Sequence, residues 1–169
     1  MPGTFAATPE SAGMFYQWNR KIGWSATDPM INSEGDDTWD DSMPVGDEWE
    51  TANDPSPAGF RVPTLAEIQT LFETDKVSYE WTTLNSINGG KFTDISTGNS
   101  IFLPATGCRD FIDGLLAHVG SCSYFWSSTV HSTASVYCML VADSIFGWDY
   151  WHGDDGGRSY GFCVRAVAE

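Results

Sequence analysis

Hydrophobic and polar positions follow three rhythms along this chain, and each predicts a different kind of element. Near the start, Thr8-Pro9-Glu10-Ser11 offers an N-cap hydroxyl followed by Pro at the first helical position, where its missing N–H costs nothing. Met14, Trp18 and Ile22 then recur every four residues. This spacing predicts a helix with one apolar stripe, ended by Gly23 in a left-handed turn. A second helix is predicted after the rigid turn Asn53-Asp54-Pro55-Ser56-Pro57-Ala58-Gly59 and the lead-in Phe60-Arg61-Val62-Pro63. Thr64-Leu65-Ala66-Glu67 is a capping box, and Ile68, Leu71 and Phe72 follow on one face. This helix is expected to reach about Asp75 and to pack on the first.

Beyond Trp81 the rhythm changes to short alternating or apolar runs between turns. Residues 91–93, 100–104, 124–128, 136–142 and 160–167 read as strands. Two early helices followed by short strands with long irregular connections predict an α+β domain rather than a parallel α/β one. Between the helices, residues 25–58 show neither periodicity. Glu34, Asp36, Asp37, Asp40, Asp41, Asp47, Glu48, Glu50 and Asp54 lie there among Gly, Pro and Ser, an acidic loop that Trp39 and Trp49 would pin. A calcium loop is one reading of so many carboxylates at short range, but the ordered Asp-x-Asp-x-Asp-Gly pattern with Glu at the twelfth position is missing.

With 169 residues, eight Trp, ten Phe and six Tyr, the chain 1–169 fits a single domain with a substantial core. No apolar run reaches the roughly 18 residues of a membrane span, and Met1-Pro2-Gly3-Thr4 does not open a basic-then-apolar export signal. The expectation is a soluble domain whose export signal lies outside this chain. Eight Lys and Arg against 23 Asp and Glu give a formal charge of -15 and a pI near 4.2, which argues against nucleic acid as a partner. Cys108, Cys122, Cys138 and Cys163 form no C-x-x-C pair and have no histidine at zinc-finger spacing, so no metal site is read from them. Four thiols allow three disulfide pairings, and the spacing selects none.

The residue vocabulary changes sharply in the last third. From Pro104 to Arg165, 62 consecutive residues contain no Lys, Glu, Gln or Asn, where about a dozen would ordinarily occur. Strand propensity explains the shortage of Lys and Glu, but not that of Asn, which turns favour. The genetic code supplies a sharper account. Substituting the adenines of AAC or AAT yields Asp, Ser, Gly, His, Tyr, Cys, Val, Ala and Phe among others, but never Lys, Glu, Gln, Met or Trp. The vocabulary fits, except that Trp126, Met139, Trp148 and Trp151 must be encoded independently. Its chemistry is that of a recognition surface: rigid aromatic area beside the adaptable hydrogen bonding of Ser, Gly and Asp. The run 145–157 is aromatic-dense and flanked by glycines, so an exposed aromatic patch is expected there.

Four ordered motifs, Gly59-Phe60-Arg61-Val62-Pro63-Thr64 with Glu67, Leu103-Pro104-Ala105-Thr106-Gly107, Trp126-Ser127-Ser128-Thr129 and Gly161-Phe162-Cys163-Val164-Arg165-Ala166-Val167, resemble the Fibrobacter-type major paralogous domain. That domain is similar to the C-type-lectin-like fold shared with formylglycine-generating enzymes. The resemblance covers roughly residues 4–168 and implies two helices packed on a small twisted antiparallel sheet with long surface loops. Within it, the altered C-terminal third resembles the variable region of target proteins of diversity-generating retroelements, whose variable residues sit on a solvent-exposed face. The resemblance implies a fixed frame of Arg109, Gly114, Gly120, residues 126–129, Gly161, Val164 and Arg165. It implies a variable, ligand-contacting set within about residues 108–160. Its variable candidates are Asp110, Phe111, Ile112, Asp113, His118, Ser123, Tyr124, His131, Asp143, Ser144, Asp149, Tyr150, His152, Ser159 and Tyr160, with Cys138 and Ala142 as further variable positions, while Phe146, Trp148, Trp151 and Asp154 are expected as ligand contacts from the exposed run 145–157. Glu-Pro-Asn, Gln-Pro-Asp and Trp-Asn-Asp, which serve calcium-bridged sugar binding in C-type lectins, do not occur, and the paired cysteines of the formylglycine enzymes have no close counterpart.

For catalysis, no G-x-S-x-G, H-E-x-x-H or phosphate-cradling glycine motif occurs. His118, His131 and His152 read as exposed contact residues rather than acid–base groups, and Asp154-Asp155 as solvated turn residues rather than a glycosidase dyad. The sequence is therefore read as a non-enzymatic module without a cofactor. Its ligand is expected to be a protein or glycan on a cell surface, and its setting a phage tail fibre or a bacterial envelope. The alternative is a glycan-acting or sulfatase-modifying enzyme on the same scaffold.

Overall fold

Adjacent residues Phe15 and Tyr16 enter two different hydrophobic cores, one on each face of a single sheet. Their strand, β1 (Met14–Tyr16), turns back into β2 (Gly23–Ser25), and the acidic loop follows. Next come β3 (Phe60–Arg61), the helix α1 (Leu65–Gln69), and a three-stranded meander β4 (Val77–Leu84), β5 (Ile87–Asp94) and β6 (Ser100–Pro104). The remainder is β7 (Cys108–Arg109), β8 (Leu116–Ala117), β9 (Cys122–Val130), β10 (Val136–Ala142), β11 (Phe146–Tyr150), β12 (Phe162–Cys163) and β13 (Val167–Ala168). In this computed structural model the described residues are 6–133, 135–143, 146–150 and 157–169, with the side chains of 146 and 148–150 left aside.

The main sheet has the order β11-β10-β9-β12-β1-β2, so strands from the two ends of the chain meet at its centre. Phe15 pairs with Cys163, Cys163 with Phe125, and Phe125 with Met139. The β12–β9 contact is parallel and the other pairings in the sheet are antiparallel. Because successive side chains leave a strand on opposite faces, Tyr16, Trp126, Cys138 and Phe162 build the first core with Trp18, Trp49 and Val62. Phe15, Phe125, Met139 and Cys163 build the second with Ile68, Phe92 and Leu103 from α1 and the meander. Gly90 permits that second packing: a Cβ there would lie 2.6 Å from both the Tyr79 ring and Val141 Cγ1, so only glycine lets β5 approach β10.

Several expectations are corrected. The architecture is not two helices packed on a sheet: it is mostly β, in several sheets, with one short α-helix among the described residues. The stripe Met14, Trp18, Ile22 forms no helix. Phe15, Tyr16, Gln17 and Trp18 are all buried, and a one-sided helix cannot bury four consecutive residues, whereas a central strand and its turn can. The second helix starts on the expected capping box, with the Thr64 hydroxyl accepting from Glu67 N–H and the Glu67 carboxylate accepting from Thr64 N–H. It gives way at Gln69 to a 3-10 turn over Thr70–Phe72, short of Asp75. The runs 100–104 and 136–142 coincide with β6 and β10, and 91–93 and 124–128 lie inside β5 and β9. The run 160–167 is instead split into β12 and β13.

Candidate ligand-binding face

Arg109 is fully buried and carries the geometry of the face beside β7. Its Nε donates to Ser25 O (2.9 Å), Nη1 to Gly114 O (2.7 Å), and Nη2 to Thr27 O (3.0 Å) and Ser25 Oγ (3.1 Å). The Asp28 carboxylate stands 3.5 Å away. Burial pulls the guanidinium below its ordinary pKa, opposed by Asp28, and these bonds replace its lost hydration. One side chain thus ties residues 25–28 to the loop after β7.

That loop closes on itself. Asp110 N–H donates to Leu115 O (2.9 Å) and Gly114 N–H to Asp110 O (3.0 Å). The carboxylates of Asp110 and Asp113 accept from Ile112 N–H and Leu115 N–H. Gly114 has φ +68°, and a Cβ there would lie 2.7 Å from the Trp39 ring, so glycine is required twice over. Trp39 Nε1 donates to Phe111 O across 3.0 Å. With its backbone satisfied from beneath, the loop presents Ile112 and Leu115 outward, 64% and 66% exposed, and Val119 follows at 57%.

Beside it runs a chain of aromatic rings. Phe111 and Tyr160 lie 4.9 Å apart centroid to centroid, Tyr160 and Phe162 5.4 Å, and Phe162 and Tyr124 4.7 Å in a stacked pair. Phe162 rests on Trp126 at 4.3 Å, both rings fully buried, and Trp126 Nε1 donates to Tyr16 O. Phe111, Tyr124 and Tyr160 are half-buried, so the array runs from the first core towards solvent. Burial, aided by the neighbouring Cys122, raises the Tyr124 hydroxyl well above its ordinary pKa and keeps it a donor at neutral pH.

A second buried arginine secures the other flank. The Arg158 guanidinium carbon lies 4.4 Å from the Trp18 ring centroid, Nη1 donates to Gly46 O (2.7 Å) and Nη2 to Ser132 O (2.9 Å). Ser159 Oγ donates to Ser42 O, and Gln17 Nε2 donates to the carbonyls of Asp40 and Ser159. The acidic loop is thereby held by backbone acceptors, while its carboxylates cap turns at Asp36 and Asp54 and pair with Arg20 at Asp40. Among the described residues no group of three or more His, Cys, Asp or Glu converges as a metal site.

The candidates divide clearly. Phe111, Tyr124 and Tyr160, far apart in sequence, are brought into one array, with Asp110, Ile112 and Asp113 beside it. His118 is exposed at φ +62°, and its carbonyl accepts from Ser121 and Cys122. His131 is exposed on the turn between β9 and β10, its ring edge-on to Tyr137 at 5.3 Å, and Asp143 is exposed at the far end of β10. Ser123 and Ser159 are both fully buried, Ser123 where β9 bridges Gly107 and Ser159 under the acidic loop, apart from the exposed candidates. Cys138, a further variable position, is also buried. Phe146, Trp148, Asp149 and Tyr150 lie in register with Val141, Met139, Cys138 and Tyr137, and their side chains fall outside the described residues. Ser144, Trp151, His152 and Asp154 also lie outside the described residues.

All four cysteines are free and buried. Burial pushes the Cys108 thiol up to about 12 and Cys163 to about 11, so both stay protonated and poorly nucleophilic at neutral pH. A groove of about 1230 Å³ opens elsewhere, over the second core, between α1 and the meander; Leu71, Leu84 and Ile101 line it with Glu80 and Lys91. None of the sequence-derived contact residues lies on it. Glu67, on its rim, is held down to about 2 by the Arg61 guanidinium and is committed to the helix cap.

Leu115 and Val119 are exposed neighbours of the face that the sequence reading did not single out, although both fall inside the altered stretch. No helix among the described residues is long and apolar enough to cross a membrane. Comparison with family models, curated proteins and solved structures returns no match.

Proposed function

We propose that this chain is a non-enzymatic ligand-binding module whose C-terminal third is a diversified recognition surface, of the kind displayed by target proteins of diversity-generating retroelements. The observation that carries the reading is a division of labour within residues 104–165. Arg109, Trp126, Arg158 and Phe162 are fully buried and hold the loops, while Ile112, Asp113, His118 and His131 stand exposed around half-buried rings. Substitution at the second group would change contacts without removing core volume, as a display surface requires. The absence of Lys, Glu, Gln and Asn from the same stretch supports diversification by adenine replacement, and the protonated buried thiols weigh against thiol-based oxidation. On this reading the module sits on a phage tail fibre or bacterial envelope and meets a ligand on a cell surface.

Sequencing the coding region in relatives from one population tests the proposal. Variation concentrated in NNC or NNT codons at exposed positions, with a near-identical AAC-rich repeat next to a reverse transcriptase gene, is the expected result. Invariant His and Asp positions in this region, with variation scattered elsewhere, would overturn it.

A further inference from the structure

The candidate face has an unusual charge pattern. From Asp110 to Gly157 the sequence contains neither Lys nor Arg, and among the described side chains its carboxylates are Asp110, Asp113 and Asp143. The acidic loop, residues 25–58, likewise contains no Lys or Arg. Both flanking arginines are fully buried with their guanidinium groups spent on backbone carbonyls, Arg109 on Ser25, Thr27 and Gly114, Arg158 on Gly46 and Ser132. Among the described residues no ion pair involves the exposed Asp113, which lies beside Ile112 in the chain.

We infer that the partner of this face is a polypeptide surface carrying Lys or Arg side chains around an apolar patch. The inference rests on the binding reading proposed above and adds the chemistry of the ligand. Two large aliphatic side chains exposed on one short closed loop gain little from a polyhydroxylated sugar and most from burial against apolar side chains. Anionic glycans and nucleic acids are repelled by the field of the carboxylates, whereas cationic residues are steered in and held in register. The loop is already closed by its own hydrogen bonds and by Arg109, so little backbone entropy is lost on docking.

Selection of phage-displayed random peptides on the full chain tests this, with two variants and heparin as controls. Ile112→Ser with Leu115→Ser removes the apolar contact at exposed positions without adding negative charge. Asp110→Asn with Asp113→Asn removes charge but keeps an acceptor oxygen for each loop hydrogen bond. The expected peptides are net positive and contain large apolar residues. They should bind the first variant at least about tenfold more weakly and the second several-fold more weakly. Their binding to the unaltered chain should fall with added salt, and heparin should not bind. Acidic or uncharged peptides that still depend on Ile112 and Leu115, or heparin binding at those residues, would overturn the partner chemistry while leaving the site reading intact. Peptides indifferent to the first variant, or no enrichment at all, would overturn both.

Discussion

Arg158 stacks its guanidinium 4.4 Å from the centroid of Trp18 while donating to the carbonyls of Gly46 and Ser132, and so joins the acidic loop, the first core and the β9–β10 turn. Among the described residues it forms no salt bridge, and its planar fork serves the two carbonyls and the Trp18 ring at once. Arg158→Ala should cost about 2 kcal/mol, because the carbonyls of Gly46 and Ser132 lose a charged donor and Trp18 loses a ring contact. Arg158→Lys should recover less than half of that. Urea denaturation of the three proteins measures both quantities.

Core and display positions should separate in the same experiment. Trp126 is fully buried against Phe162, and Trp126→Ala should cost about 3–5 kcal/mol through the cavity it leaves. Ile112→Asp and Leu115→Asp should each stay within about 0.5 kcal/mol, since both side chains are mostly in water already.

How far such distinctions can be read from sequence depends on the range of the interactions. The Thr64 to Glu67 capping box was legible because its partners lie three residues apart, and β6 and β10 were legible as bounded apolar runs. Val77, Tyr79 and Trp81 alternate with Ser78, Glu80 and Thr82 just as clearly, yet β4 starts before the point where strands were expected. Met14, Trp18 and Ile22 misled because three residues at helical spacing outweighed the unbroken buried run 15–18 between them. The array Phe111, Tyr160, Phe162, Tyr124 had no local signal, for it exists only once β12 is inserted beside β9. The burial of Ser123 and Ser159 comes from the same long-range packing, whereas the expectation for them was carried over from the resemblance.

Glu67 makes stability sensitive to acid in a defined window. Its carboxyl is lowered from 4.5 to about 2, first by the Arg61 hydrogen bonds and then by the Thr64 cap. A depressed folded pKa stabilises the native state above the unfolded value, and that contribution is lost as pH falls from about 4.5 through about 2. The pair is over a third exposed, so solvent screening keeps the effect below about 1 kcal/mol. Glu67→Gln should flatten the stability profile between pH 4.5 and 2 by that amount, measured by urea denaturation at stepped pH.

The cysteines should be chemically silent in the folded protein. Cys108 and Cys163 have folded pKa values raised by burial from 9.0 to about 12 and about 11. Their neutral form is favoured in the native state, so stability is fully present below pH 9 and declines as pH rises through 11 to 12. Titration with a thiol reagent at pH 8 should find almost no rapidly reacting thiol in the native protein and four in 6 M guanidinium.

Whether the C-terminal third is a tolerant face on a fixed frame is measured most directly by saturating every codon from 104 to 165 and sorting the library for protease resistance alone. The account predicts near-complete tolerance at Ile112 and His131, and strong intolerance at Arg109, Trp126, Arg158 and Phe162. Equal intolerance in the two groups would contradict it.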